Sequence, residues 1–336
     1  MGCMFCLSDL ERIDVSNFNT EKVTNMEHMF HGLNIKELDL NSFNTANVAN
    51  TSIMFDGCSA LKTIYVSKKW SMESVRSSSY MFDGCNSLVG GKGTKYSSAH
   101  IDHEYACIDG GLCNPGYLTC DSEDLREAYA VFTESDTTLT FYYDENINCR
   151  EGDVYTTDKF RPYLLGWSGV KSIIKTVEFD TSFKDYDQLK TTSTWFQDCR
   201  SLVQFVGMEN LVTTNVTDMA EMFRGCGKLK TLDVSSLDTR NVKDMNFMFA
   251  ESGISDINLQ NFSTESATSM YAMFYACPNL VSIDVSGFDT KNVKSMRSMF
   301  RKCENLSSLD VSHFNTSNVT NMCAMFSVTK LSYIDD

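Results

Sequence analysis

One pair of residues recurs down this chain at a nearly fixed interval, and that interval limits the folds open to it. Met-Phe stands at Met4/Phe5, Met29/Phe30, Met54/Phe55 and Met81/Phe82, and again at Met222/Phe223, Met248/Phe249, Met273/Phe274, Met299/Phe300 and Met325/Phe326. Successive pairs lie 25 or 26 residues apart, once 27, with one long gap between Phe82 and Met222. A unit this short cannot bury its apolar side alone, so copies must stack, and a period of roughly 20 to 29 residues is that of leucine-rich repeats.

Each copy has two halves. In "LSSLDVS", Leu306, Leu309 and Val311 alternate as in a short strand, with Asp310 and Ser312 on the other face. Val319, Met322, Met325 and Phe326 follow at steps of three and four, which predicts one face of a helix or 3₁₀ turn, with Thr316 or Ser317 as its N-cap. Stacking then gives a parallel sheet on one wall and short helices on the other. Phe18, Phe43, Phe262, Phe288 and Phe314, with Trp70 and Leu237 as substitutes, form one core column, and Met26, Met219, Met245, Met270, Met296 and Met322 another. Methionine at such spacing is adaptable core filler in preference to a soft-metal site.

The fold class is therefore an α/β repeat: a leucine-rich-repeat solenoid interrupted by a β-rich insertion, one elongated body in preference to two globular domains. The 336 residues are 42% apolar, ample for burial, and three prolines leave no room for a stalk. A net charge of -15 argues against nucleic acid and anionic membranes, and no Lys/Arg-rich run offsets it. No apolar stretch reaches the roughly 20 residues of a membrane span, and the N-terminus lacks the order of a signal peptide. Met1 to Phe5 opens inside a repeat and Ser332 to Asp336 stops where another strand would begin, so the chain reads as a fragment of a longer protein.

Of thirteen cysteines, Cys58, Cys85, Cys199, Cys226, Cys277 and Cys303 share one slot after Met-Phe or its equivalent, the mark of a buried ladder. Cys107, Cys113, Cys120 and Cys149 fall outside it, open to pairing in an oxidising compartment or to remaining free.

The best copy, 303–326, resembles the 26-residue unit of the BspA-like leucine-rich-repeat bacterial surface proteins, close to "LxSLDVSxFNTSNVTNMxxMFxxC". The likeness covers 1–88 and about 195–336. It implies a bacterial cell-surface or secreted protein that binds host or bacterial surfaces, with adhesion to extracellular-matrix proteins such as fibronectin.

The organisation expected is N-terminal repeats over 1–88, an insertion over 89–194 packed on the solenoid, and C-terminal repeats over 195–336. Within the insertion, "GGKGTKY" is a flexible turn, Leu139–Tyr143 and Gly152–Thr156 are two arms of a predicted β-hairpin, and Ile174–Phe183 is a further strand. "AHIDHEY" gathers His100, Asp102, His103 and Glu104, a group that invites metal or acid–base chemistry but sits in a polar loop. His28, His31 and His313 are expected to be solvated. No G-x-S-x-G, H-E-x-x-H or phosphate-cradling glycine loop is present, and no cofactor, metal site or catalytic residue is assigned.

The candidate binding surface is the strand face turned away from the core: Asp14, Asp39, Asp233, Asn258, Asp284 and Asp310, flanked by Ser235, Ser286 and Ser312. Strands about 4.8 Å apart bring like charges together, which should raise some of these carboxylate pKa values. Two readings are open: a strip that recognises basic protein segments, cations or glycans, or acids that satisfy their own turns. The function expected is a non-enzymatic surface interaction protein, whose partners are matrix or bacterial surface proteins or glycans; the alternative is a glycan-binding or hydrolytic module in 89–194.

Overall fold

The structure is a computed structural model and describes residues 2–8, 10–120, 126–156, 160 and 165–332. The chain forms two compact units, Met1–Leu125 and Arg126–Asp336, and the segment 89–194 is divided between them. Met1 and the segment 333–336, on which the fragment reading partly rests, lie outside the described residues.

In the first unit, β1 (Glu37–Leu40) and β2 (Thr63–Val66) pair in parallel from Glu37/Thr63 to Leu40/Val66, and β3 (Leu118–Thr119) extends the sheet beyond β2. The alternation holds: Leu38, Leu40, Ile64 and Val66 are buried while Glu37 and Asp39 are exposed.

The second unit carries a mixed sheet of β4 (Glu127–Thr133), β5 (Thr138–Asp144), β6 (Asp153–Thr156), β7 (Thr176–Phe179) and β8 (Gln204–Val206), in the order β6-β4-β5-β7-β8. β4 is antiparallel to both β5 and β6, whereas β7 is parallel to β5 and β8. The hairpin therefore differs from the sequence expectation: Leu139–Tyr143 pairs with 127–133, and 153–156 lies across β4. The cause is "EAYAVFT", buried at five consecutive positions on both faces, which places it as a central strand. Beyond the sheet, β9 (Thr231–Asp233) and β10 (Asp256–Asn258) pair in parallel, after which the strand wall thins to a bridge between Ser282 and Ser308. The strand predicted at Leu306–Val311 is thus a single bridging residue, although Leu306 and Leu309 are buried.

The opposite wall is not helical. Helices among the described residues are 3₁₀ turns of three to five residues, such as His103–Tyr105 and Thr181–Asp185. In each Met-Phe segment two residues instead adopt left-handed φ. The residue before Met does so at His28, Ile53, Glu221, Phe247, Ala272 and Ser298, and the second after Phe at Gly32, Gly57, Gly225, Glu251, Ala276 and Lys302, all between 54° and 75°. Each is the third residue of a tight turn, closed by bonds such as Met29 N–H to Met26 O (3.2 Å) and Leu33 N–H to Phe30 O (3.4 Å). The N–H groups that a helix would spend internally go to the next copy: His28 to Ser52 O, Phe30 to Met54 O and Gly32 to Asp56 O at 3.1, 2.9 and 2.8 Å. Glu221, Phe223 and Gly225 repeat the pattern toward Asn246, Met248 and Ala250. Two successive turns bury residues spaced by three and four as a helix does, which is why the spacing alone misleads.

A left-handed residue with a Cβ costs roughly 1–2 kcal/mol. Ala276, at the position held elsewhere by Gly32, Gly57 and Gly225, is therefore expected to gain about 0.5–1 kcal/mol of unfolding free energy as Ala276→Gly. A urea titration that shows a loss of similar size would contradict its conformation.

Side-chain ladders hold the stack. Phe30 lies 5.7 Å from Phe5 and 5.6 Å from Phe55, and Phe223, Phe249, Phe274 and Phe300 stack at 5.2–5.6 Å, ring planes within 12°. The second Phe column is buried at Phe43, Phe262 and Phe288, and the Met column at Met26, Met219, Met245, Met270 and Met296, while Met322 is 47% exposed. Thr20, Thr45, Thr239 and Thr290 are buried and reach forward, donating to Asn44, Ser71, Ser263 and Asn315 carbonyls at 2.7–3.1 Å. Asn47, Asn241 and Asn318 reach back to Glu21, Thr214 and Lys291 carbonyls at 2.7–2.8 Å. Thr316 thus belongs to an inter-repeat ladder position, and Asn315, whose Oδ1 accepts the Ser317 N–H at 3.0 Å, is the local cap.

The cysteine ladder is as expected. All six thiols are buried, and Cys58, Cys85, Cys226, Cys277 and Cys303 donate to the Phe carbonyl one repeat back at 3.0–3.2 Å. Burial pushes Cys58 up to about 11 and Cys199 to about 12, so these stay neutral thiols.

Candidate binding face

The strand face presents its carboxylates in a fixed way. Asp14, Asp39, Asp233, Asp284 and Asp310 each accept, through Oδ1, the N–H of the residue two further on, at 2.9–3.0 Å; Asn258 does the same with Gln260. The Asp side chain closes its own turn as the chain leaves the strand. The expected rise in pKa is overturned. The hydroxyl and N–H of Ser235, Ser286 and Ser312 hold Asp233, Asp284 and Asp310 below the ordinary carboxylate range, and the Ser16 N–H leads the same effect at Asp14. At two junctions direct like-charge pairing is also avoided, since Asp233 faces Asn258 and Asp39 faces Tyr65.

Five of the candidate residues converge. Asp233, Ser235 and Asn258 line a groove of about 600 Å³ with Gln204, Phe205, Glu209 and Asp256. A second groove of about 640 Å³ shares Asn258 and passes Gln260 to reach Asp284 and Ser286. Asp310 and Ser312 follow one repeat further on. In the first unit, Asp39 lines a groove of about 880 Å³ with Glu11, Arg12, Lys36, Glu37 and Tyr65. Glu209 and Asp256 were not singled out by sequence; Asp256 carries a signal, because it lies two residues before Asn258 on the same face of β10. Ionised, oriented carboxylates at neutral pH suit ammonium, guanidinium and hydroxyl partners.

Like-charge strain appears in the bridge column that precedes the Met-Phe turns, where Asp218 and Asp244 pair across adjacent repeats. Burial raises the Asp218 pKa, and Asp244 and Glu221 add to the rise. A raised folded pKa favours the protonated fold: that stabilisation is complete below the ordinary 3.8 and is lost as pH rises through the folded value. Asn25, Asn50 and Asn321 hold the same slot and accept the same turn N–H. Asp218→Asn is therefore expected to raise the unfolding free energy slightly at pH 7, by less than about 1 kcal/mol, with the gain vanishing below pH 3.8. An equal gain at all pH values would sink the electrostatic explanation.

The histidine group in 89–194 is drawn into structure. Tyr80 N–H donates to Asp102 Oδ1 (2.9 Å), Phe82 N–H donates to Ile101 O (2.8 Å), and His103 Nδ1 meets the buried Ser78 Oγ at 2.7 Å. "AHIDHEY" thus takes the place of the following copy on the turn ladder. His100 stacks on Tyr105 with centroids 4.2 Å apart. Contrary to expectation, His31 is not merely solvated but contacts Asp56 Oδ2 (3.1 Å), and His313 Nε2 meets Val285 O at 2.9 Å.

Sequence reasoning missed Asp109, the one buried carboxylate among the described residues, 2% exposed. Its Oδ1 accepts from Thr94 Oγ1 (2.6 Å) and Gly111 N–H (2.9 Å), and its Oδ2 from the N–H groups of Lys92 (2.7 Å) and Thr94 (3.0 Å). Burial alone would raise its pKa, but these bonds outweigh it and hold the carboxyl below its ordinary range. Gly90 closes the clasp, since a Cβ there would lie 2.1 Å from Gly116 O and 2.6 Å from Asp109. The signal in the sequence was "IDGG", readable as a turn but not as a hub.

The repeats match the family model described as "Mycoplasma protein of unknown function, DUF285" over residues 1–95, 190–282 and 252–332. The chain belongs to this family. The DUF285 match stops at 95 and resumes at 190, inside the long gap between Met-Phe pairs. A leucine-rich repeat protein from Eubacterium ventriosum, known from a crystal structure, shares 13% identity over 93% of this chain and 70% of its own, with a TM-score of 0.32. No curated protein is significantly similar in sequence to the chain. No helix among the described residues is long and apolar enough to cross a membrane, and no group of three or more His, Cys, Asp or Glu residues among them could hold a metal ion.

Proposed function

We propose that this DUF285 chain is a non-enzymatic interaction protein, its copies stacked as a leucine-rich-repeat solenoid of the BspA-like kind and its outward strand face the binding surface. The observation that carries the reading is the pair of grooves joined at Asn258, lined by fixed, ionised Asp233 and Asp284 with Glu209 and Asp256 beside them. Partners are basic segments of extracellular-matrix or bacterial surface proteins, or glycans, engaged by repeated weak contacts that sum through multivalency. A place at the bacterial surface or outside the cell belongs to the same proposal and comes from the BspA-like resemblance.

Binding of the purified chain to arrays of matrix proteins and glycans, at two salt concentrations, tests it. Saturable binding to a matrix protein that weakens with salt supports the acidic face. Silence on both arrays would favour a spacer role for the repeats. Deleting 89–194 to look for a separate module would remove Tyr117 and Leu118 from one core and Phe141 and Trp167 from the other, so point substitutions are the cleaner probe.

A further inference from the structure

The turn wall of the second unit carries a surface of opposite character. Arg224, Arg297 and Lys302 lie over the rings of Phe247, Tyr271 and Tyr275 at 5.1, 5.8 and 5.7 Å, and Phe247 meets Tyr271 edge-on at 4.7 Å. Arg224 is neutralised by Glu221 (2.7 Å) and Glu251 (3.5 Å). Arg297, Arg301 and Lys302 are not: among the described residues no carboxylate lies within salt-bridge distance of any of them, and Arg301 Nε is buried with no hydrogen-bond partner. Three unpaired cations from one copy, two of them exposed, thus stand beside half-buried tyrosines in a chain of net charge -15.

Aromatic rings and arginine with few neutralising acids is the make-up of a protein-binding hot spot, and the planar guanidinium fits a carboxylate with two parallel bonds. The cation–π contacts hold the side chains in place beforehand, which lowers the entropy lost on docking. We propose that this wall docks an acidic protein segment, its carboxylates on Arg297, Arg301 and Lys302 and its apolar side chains against Tyr271 and Tyr275. A second copy of the chain is a poorer occupant, because two bodies of charge -15 repel on approach.

The test uses the full chain and a fluorescein-labelled decaglutamate peptide at low salt, read by anisotropy. Wild type is expected to bind, and R297E/K302E to lose at least tenfold in affinity while its melting temperature and circular dichroism stay unchanged. Neutralising the strand face in D284N/D310N should leave peptide binding equal or stronger, which separates this surface from the one proposed above. No binding by wild type, or equal binding by folded R297E/K302E, overturns the proposal. So does tighter binding of a sulfated oligosaccharide of equal charge, which would assign the wall to glycans. Concentration-dependent self-association that R297E/K302E abolishes would assign it to a second copy.

Discussion

Replacing Phe249 with alanine is expected to lower the unfolding free energy by about 4 kcal/mol, among the largest effects of any single truncation in the chain. Its ring is fully buried, lies 5.6 Å from Phe223 and 5.2 Å from Phe274 in near-parallel planes, and also touches Phe262. Truncation leaves a gap in the middle of a ladder whose backbone is fixed on both sides by Phe223 N–H to Met248 O and Phe249 N–H to Met273 O, so the site cannot collapse to fill it. Because repeat stacks are stabilised by nearest neighbours, the loss should also separate the transition into two phases, as copies on either side of the gap uncouple. Phe288→Ala, equally deep in the second column, should cost about 3 kcal/mol or more. A loss below about 1 kcal/mol for Phe249→Ala in urea titration would contradict the stacked core.

Asp109→Ala is expected to cost about 3 kcal/mol at pH 7, confined to the first unit. Four donors now converge on one buried carboxylate, and alanine would strand three backbone N–H groups in a site closed to water. The pH dependence follows from its depressed folded pKa: the stabilisation is present above the ordinary 3.8 and is lost as pH falls through the folded value. The difference between wild type and variant should therefore shrink in acid. Asp109→Asn, which keeps one acceptor oxygen, should fall between the two. A variant as stable as wild type at pH 7 would show that the loops at 90–96 and 109–116 are not held by this side chain.

The repeat period, the apolar columns and the cysteine ladder were legible because each reports burial, and burial is what an apolar residue at a fixed interval encodes. The backbone between them was not. Val319, Met322, Met325 and Phe326 satisfy helical spacing, yet Ala324 and Val328 take left-handed φ and the segment runs as two turns. Nothing in "NMCAMFSV" announces this, since Ala and Val are poor left-handed residues; only the glycines at 32, 57, 84 and 225, in the matching slot of other copies, hinted at it. The same holds for Thr316 and its column, where a cap to a helix and a bond to the next copy use the same hydroxyl. On the binding face, the column of Asp residues was visible, but its charge state was not: repulsion was the natural inference from spacing, while the turn N–H groups that decide the matter belong to residues two positions on. The unpaired cations of "MRSMFRK" were hidden by the overall charge.

The central claim is that the fixed carboxylates of the strand face bind the partner, and the triple variant D233N/D284N/D310N tests it most directly. Asparagine keeps the Oδ1 acceptor that closes each turn, as Asn258 already does, and removes only the charge. Titrated against whichever matrix protein wild type binds, the folded variant should lose at least tenfold in affinity together with most of the salt dependence. Unchanged affinity and unchanged salt dependence would contradict the claim and move the binding surface elsewhere on the molecule.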